Sequence, residues 1–323
     1  MLIAIVALCV LFLCLVGSFI GGVYAERHRG VPLWRVEDYW TIGIYAGESP
    51  LEVSAPEGVQ NPVLTARDVT DLEASFVADP FMVREEGRWY MFFEVMPAES
   101  YLGKIGLASS ADGWRWEYEQ IVLDEPHHLS YPYVFKWEGE HYMIPDCYGG
   151  NAVRLYKATE FPRRWSRVGN LIEGNYVDAS VVRHDGCWWL FAADPQGNHT
   201  LRLFSAETLS GSWAEHPQSP LVAGDPHIAR PGGRVIVNDG RVFRFTQDDA
   251  PIYGNQLRAF EVTELSPTGY REQPAAQAPV LRASGSGWNR DGMHHIDPHQ
   301  VGDRRWIACV DGNRQRLSFR LSY

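Results

Sequence analysis

Lysine is nearly missing from this chain: Lys104, Lys136 and Lys157 are the only three in 323 residues. Acids outnumber bases 40 to 29, a formal net charge of -11. That excludes a nucleic-acid partner, because phosphate binding needs a concentrated basic face. The remaining basic residues are arginines, suited to planar recognition of carboxylates or sugar hydroxyls. Cysteine is also scarce. Cys9 and Cys14 fall in an apolar N-terminal run, which leaves Cys147, Cys187 and Cys309. Three cannot complete a disulfide framework, which favours a reducing side of the membrane. No Gly-x-Ser-x-Gly is present, and Gly149-Gly150 and Gly232-Gly233 read as turns rather than phosphate-cradling loops. Neither a serine triad nor a nucleotide cofactor is expected. Long stretches of helical periodicity are absent from residue 76 onward, so the body is not helical. Aromatics make up 13% of the chain, ample apolar area for a folded core.

The apolar run is Leu2 to Ala25, 24 residues without a charge. At about 1.5 Å per residue it is long enough to cross a hydrocarbon core with some tilt. The alternative is a cleaved signal peptide ending at Val23-Tyr24-Ala25, but no Lys or Arg precedes the run. The expectation is a single-pass membrane anchor over residues 1–25 and a linker over 26–37, with the folded body over 38–323. Arg27, Arg29 and Arg35 follow the span, which places that body in the cytoplasm by the positive-inside rule.

The body repeats. Five segments open alike, at Ala78-Asp79-Pro80, Ser130-Tyr131-Pro132, Val177-Asp178-Ala179, Ala229-Arg230-Pro231 and Ile296-Asp297-Pro298. Each is followed by an apolar strand and then a second strand rich in aromatics, and in the first four an acid-glycine turn joins the two: Glu86-Gly87, Glu138-Gly139, Asp185-Gly186 and Asp239-Gly240. Third strands follow in the first four units, closed by Trp116, Trp165, Trp213 and Tyr270. Five units of three or four antiparallel strands make an all-β, five-bladed β-propeller preceded by one transmembrane helix. The last blade is short at the C-terminus. Either residues 39–45 or Leu317 to Tyr323 complete it, so that no edge stays open.

In a propeller the start of each first strand and the end of each second strand share one mouth of the central channel. Every second strand ends in an acid: Glu94, Asp146, Asp194, Asp248 and Asp311. These ring the same mouth as Asp79, Asp178 and Asp297. His127, His128, His227, His294, His295 and His299 gather near it, with Arg230 the inward cation and Tyr131 an inward aromatic. Trp89, Tyr131, Tyr133, Tyr148, Trp188 and Trp288 offer stacking faces for a sugar, or pack the blades. Crowded carboxyls supply the mixture of protonated and ionised groups that glycosidic bond cleavage needs. A divalent ion held by His294, His295 and His299 with Asp297 is a further option, though neighbours along a strand point to opposite faces.

Several strings resemble one family. Trp40-Thr41-Ile42-Gly43-Ile44-Tyr45, Asn61-Pro62-Val63-Leu64-Thr65, Val77-Ala78-Asp79-Pro80-Phe81, Gly103-Lys104-Ile105-Gly106 and His128-Leu129-Ser130-Tyr131-Pro132-Tyr133-Val134-Phe135 are similar to the N-terminal domain of plant glucosamine inositolphosphorylceramide transferases. Gly287-Trp288-Asn289 and His294-His295-Ile296-Asp297 continue the resemblance, which covers about residues 38 to 314. That domain is similar in architecture to the propeller glycoside hydrolases of families 43, 32 and 68. The plant transfer chemistry belongs to a separate C-terminal domain, so transfer is not implied here. The family 43 resemblance implies Asp79 as base and Asp178 as its pKa-tuning partner. The place of that family's general acid reads Ile228-Ala229-Arg230-Pro231, with no carboxylate, which leaves Glu94, Asp146 and Asp297 as candidate acids. Tyr131, Arg230, His128, His227, His294, His295 and Trp288 are the expected substrate contacts. The resulting expectation is a membrane-anchored, carbohydrate-active propeller of glycoside-hydrolase type acting on a glycan or glycolipid. The alternative is a non-catalytic glycan-binding or scaffold module.

Overall fold

The computed structural model describes residues 10–22, 34–194, 199–275 and 279–319. Residues 10–22 are helical. At about 1.5 Å per residue this helix is about 20 Å long, against the roughly 30 Å of a hydrocarbon core. Among the described residues no helix is long and apolar enough to cross a membrane. The expected single-pass anchor is therefore not supported, and membrane localisation on either side loses its basis. The rest of the expected anchor and most of the linker lie outside the described residues.

The chain forms two compact units, residues 40–313 and a smaller one made of residues 1–39 with 314–323. In the smaller, Trp34–Glu37 pairs antiparallel with Arg316–Phe319. Leu317 thus belongs to a two-stranded ribbon and not to a blade.

The larger unit is five antiparallel sheets in sequence order. Blade I is Ala74–Glu85, Arg88–Pro97, Lys104–Ser110 and Glu117–Leu123. Blade II is Ser130–Trp137, Glu140–Asp146, Ala152–Glu160 and Arg164–Glu173. Blade III is Val177–His184, Cys187–Ala193 and Thr200–Ala206, edged by two short pieces, Ala214–Glu215 and Val222–Ala223. Blade IV is Ile236–Asn238, Arg241–Asp248 and Gln256–Leu265, edged by Tyr270–Pro274 and Leu281–Arg282. Blade V joins Ile296–Gly302 and Arg305–Asn313 to Trp40–Ser49 and Glu52–Ser54 from the beginning of the unit.

Local chemistry explains the repetition. Each acid-glycine turn has two consecutive residues at positive φ, Glu86 and Gly87 at 49° and 83° for instance, which is the hairpin geometry that matches strand twist. Trp116, Trp165 and Trp213 each donate the indole N–H to a nearby backbone carbonyl, at Gly113, Pro162 and Leu209. A large apolar ring is thereby fixed at the blade edge with its one polar atom satisfied. Blade IV departs from the pattern. Its inner strand is reduced to three residues: Pro231 makes only an isolated bridge to Thr246, and Gly233, at φ 144°, carries the backbone against Ile296 of blade V. A Cβ at Gly233 would lie 1.8 Å from the Ile296 carbonyl oxygen.

Ring closure fills the third and fourth places of blade V from the N-terminal side. Trp40 to Gly47 pair without interruption with Asn313 to Trp306. Trp288 lies across this seam. A Cβ on Gly312 would meet its Cζ3 at 2.4 Å and a Cβ on Gly43 its Cη2 at 2.6 Å, so the ring rests on bare backbone. Trp288 also packs edge-on against Tyr45. This makes it a closure residue rather than a sugar platform. Trp288→Ala is expected to lower unfolding stability by about 3 kcal/mol, read from urea denaturation, and to leave carbohydrate binding by the folded protein unchanged.

Candidate active site at one channel mouth

Three inner strands begin with the same backbone irregularity. The ladder breaks between Ala78 and Phe81, between Ser130 and Tyr133, and between Val177 and Ser180. Within each break one residue is left-handed: Asp79 at φ 52°, Tyr131 at 44° and Asp178 at 55°. Such a bulge re-aims the side chain, and Asp tolerates the conformation better than most residues. Tyr131 does not tolerate it easily. Its hydroxyl is fastened by Ser180 Oγ at 2.8 Å and the Gly233 backbone, donating to or accepting from both. Tyr131 is fully buried and packs against Phe81 and His295. It plugs the channel below the mouth instead of presenting a face to substrate.

Register also sorts the acids. Glu94, Asp146 and Asp311 lie six residues after the hairpin residues Arg88, Glu140 and Arg305, whereas Asp194 and Asp248 lie seven after Cys187 and Arg241. One residue of slip turns a side chain to the other face. Asp194 accordingly pairs with Arg202, and Asp248 with Arg258 and His227. His227 is thus drawn into this second network and does not join the channel acids. Asp297 sits two residues past the place that Asp79 holds, opposite Cys309 as Phe81 is opposite Phe92. It is fully buried, bound to Arg234 and to His299 at 2.9 Å, and against the cost of burial these partners, Arg234 foremost, hold it far below the usual carboxylate range. It cannot serve as a general acid. The residue in the Asp79 place of blade V is His295, buried between Phe81 and Tyr131 and held by burial down to about 4.

What converges is Asp79, Glu94, Asp146, Asp178, Asp311, Arg230, His128 and His294. Two of the acids are neutralised. Asp178 accepts from Arg230 Nε and, at 2.8 Å, from Gln247 Nε2. Asp311 accepts the backbone N–H groups of Asp79, His294 and His295 at 3.2, 3.1 and 3.1 Å and contacts His294 Nδ1 at 2.8 Å. Burial works against both charges of that pair. Their attraction prevails, so Asp311 is held low and His294 is raised to about 9. The imidazolium stacks on Trp40 with centroids 3.9 Å apart, and Arg230 lies over the Tyr253 ring.

The other three acids have no Arg or Lys on them among the described residues. Asp79, Glu94 and Asp146 are 6%, 6% and 4% exposed. Burial, reinforced by the charges of Asp178 and Asp311, raises Asp79 to about 7. Burial and then the neighbouring acids raise Glu94 and Asp146 well above the ordinary range. His128 accepts the Gly103 N–H at Nδ1, 2.9 Å, so its proton is on Nε2, 3.5 Å from Glu94. Above them opens a cavity of about 710 Å³ whose lining includes Asp146, Arg230, His128 and Ser130, with Tyr101, Leu102 and Tyr148 at the rim. Asp146 Oδ1 has no hydrogen-bond partner.

Asp79, His294 and Asp311 each offer a donor atom, all within 4.8 Å of one another. Because His294 is an imidazolium at neutral pH, it has no free lone pair, and the set fits an ion-pair network better than a metal site. His299 and Asp297 form a separate pair deeper in the channel, so the expected four-residue metal set is not assembled. Trp89, Tyr133 and Trp188 are buried among the blades. Tyr101, Tyr253 and Gln247 were not singled out in the sequence. A signal was there: the loops joining second to third strands end at this mouth, and in blades I, II and IV they carry Tyr101, Tyr148 and Tyr253.

Residues 35–313 match the family described as glucosamine inositolphosphorylceramide transferase 1, N-terminal. The chain belongs to this family. It is 37% identical over 300 residues to glucosamine inositolphosphorylceramide transferase 1 of Oryza sativa subsp. japonica, covering 86% of this chain and 40% of that one. To the Arabidopsis thaliana protein it is 35% identical over 303 residues, covering 86% and 39%. The chain spans about two fifths of the length of these relatives. Solved structures share the fold: a glycosyl hydrolase from Bacteroides ovatus (TM-score 0.57, 10% identity, 79% of this chain and 92% of that one) and the catalytic domain of the Coprinopsis cinerea family 62 α-L-arabinofuranosidase (0.55, 14%, 83% and 96%). An exo-1,5-α-L-arabinanase from a bovine ruminal metagenomic library is a third (0.52, 16%, 78% and 99%).

The unpaired carboxyls cost stability in a pH-dependent way. Asp79 is less acidic folded than unfolded, so its favourable contribution is complete below about pH 4 and is lost as the pH rises through about 7. Asp79→Asn keeps a residue that accepts the left-handed backbone and removes the charge. It is expected to raise the thermal midpoint by several degrees near pH 8, with the gain vanishing toward pH 4.

Proposed function

We propose that the propeller acts on a glycosidic bond of a sugar seated in this mouth. The observation that carries the reading is Asp146: a carboxyl that burial makes weakly acidic, in the lining of the cavity, whose buried Oδ1 makes no hydrogen bond. In the proposed reaction Asp146 gives its proton to the leaving glycosidic oxygen. Asp79, about half ionised near neutrality, draws the proton from the water that attacks the anomeric carbon. Glu94, held by His128, keeps a second protonated acid beside Asp146. Burial, with a smaller contribution from Asp178, holds Asp79 and Asp146 weakly acidic, and Arg230 clamps Asp178 in place. Tyr101 and Tyr148 offer stacking faces to sugar rings entering from solvent. His294 acts behind Asp79 and His295 below it, as positioning groups.

A second reading is a glycan-binding module without turnover. One observation favours it: Arg230 stands at the opening of blade IV and neutralises Asp178. The family relationship supports a carbohydrate partner under either reading. A glycan-array screen of residues 31 to 323, followed by product analysis on each hit, separates the two. For hydrolysis, Asp146→Asn and Asp79→Asn are each expected to reduce turnover by about 10²- to 10⁴-fold while retaining sugar affinity. The wild-type rate is expected to fall as the pH drops below about 7, when Asp79 takes up its proton. Binding by the wild type with no product at any pH supports the module instead.

A further inference from the structure

The far ends of the inner strands carry the opposite charge from their openings. Arg84, Lys136 and Arg183 share one register, each paired across its hairpin with Trp89, His141 and Trp188. Arg84 lies five residues beyond Asp79, about 17 Å along an extended strand. Between blades V, I and II this end opens into a cavity of about 430 Å³, lined by Arg84, Lys136, Arg234, His299, Trp89 and Phe135 among others. That is the size of a small-molecule site.

The carboxylates that answer these cations are already engaged. Asp297 holds Arg234 and His299 from the interior, and Glu85 holds Lys136 Nζ with both oxygens at 2.7 Å while facing His141 at 3.3 Å. Arg84 has no ion-pair partner among the described residues and lies 5.8 Å from the centre of the Trp89 ring. Arg234 donates Nε and Nη2 to Asp297 and Nη2 also to the Met82 and Val134 carbonyls. A protein of net charge -11 thus gathers Arg84, Lys136 and Arg234, from blades I, II and IV, around one recess.

We propose that this recess is a second binding site, independent of the acidic mouth, for a phosphate ester. Donors converging from separate strands suit a tetrahedral oxyanion better than a planar carboxylate, which one guanidinium fork would satisfy. Trp89 and Phe135 give the carrier of the phosphate an apolar wall.

The test is calorimetric titration of the full chain at low salt with glucose 6-phosphate, inorganic phosphate and glucose, and flotation with phosphatidylcholine vesicles with or without phosphatidic acid. Glucose 6-phosphate is expected to bind and glucose not to. Stronger binding than inorganic phosphate identifies a sugar phosphate as the ligand; selective flotation with phosphatidic acid identifies a lipid headgroup. The exposed pair Arg84→Ala and Lys136→Ala, checked for an unchanged thermal midpoint, is expected to weaken binding at least about tenfold, and Arg230→Ala at the other mouth to leave it intact. Absence of phosphate-dependent binding in every arm overturns the proposal. So does binding that survives the Arg84 and Lys136 changes and disappears with Arg230→Ala.

Discussion

The left-handed bulge at the opening of an inner strand is the constraint on which the acidic mouth depends. In a regular ladder alternate side chains enter the two faces of a blade, and a channel-facing acid would have to displace core packing. One extra residue at positive φ releases Asp79 and Asp178 from that alternation and leaves Phe81 and Ser180 in register below them. The conformation is held by its surroundings. The Asp79 N–H reaches Asp311 of blade V, and Tyr131 is tied to Gly233 of blade IV. Each opening is therefore fixed by a different blade, and the mouth takes shape only when the ring is closed by Trp40–Ser49.

Closure decides the electrostatics as well. Trp40 comes from the closing strand, and the ring stacked on it is His294, whose charge sets Asp311 and tempers Asp79. The same strand that removes an open edge thus reaches the carboxyl proposed to act as base. Stability and function are opposed at this point. Burying three acids without cations costs free energy above their unfolded pKa values, and the blades' apolar packing offsets it.

The period of the repeat was legible from the sequence because Asp-Gly and Glu-Gly turns, blade-closing tryptophans and aromatic second strands each leave a local mark. Site membership was less legible, because it depends on single-residue register that spacing along the chain does not fix. Asp194 and Asp248 resemble Glu94 and Asp146 in sequence and point elsewhere. Asp297-Pro298 looks like Asp79-Pro80 and is two residues deeper, since blade V has no bulge there and the true counterpart is His295. In blade IV the chain at Gly233 leaves the blade to bridge Ile296 and the inner strand is interrupted, which no pattern of alternation predicts. The apolar beginning is a different matter: an uncharged run in the sequence does not by itself make a spanning helix, and among the described residues none is long and apolar enough.

The two ends of the channel follow from one rule applied twice. At the openings, Arg230 pairs with Asp178 and His294 with Asp311, and burial makes the three acids left over weaker than ordinary carboxyls. The mouth thus carries less charge than its five acids suggest, which suits the proposed sugar ligand. At the far ends Asp297 and Glu85 are saturated and cationic donors remain. A carboxylate in the place of Arg230 would have left Asp178 uncompensated and made the mouth an anion that repels acidic ligands and attracts cations. With Arg230 at the opening of blade IV, the acid that lines the cavity is Asp146, from blade II, the group proposed above to meet the sugar.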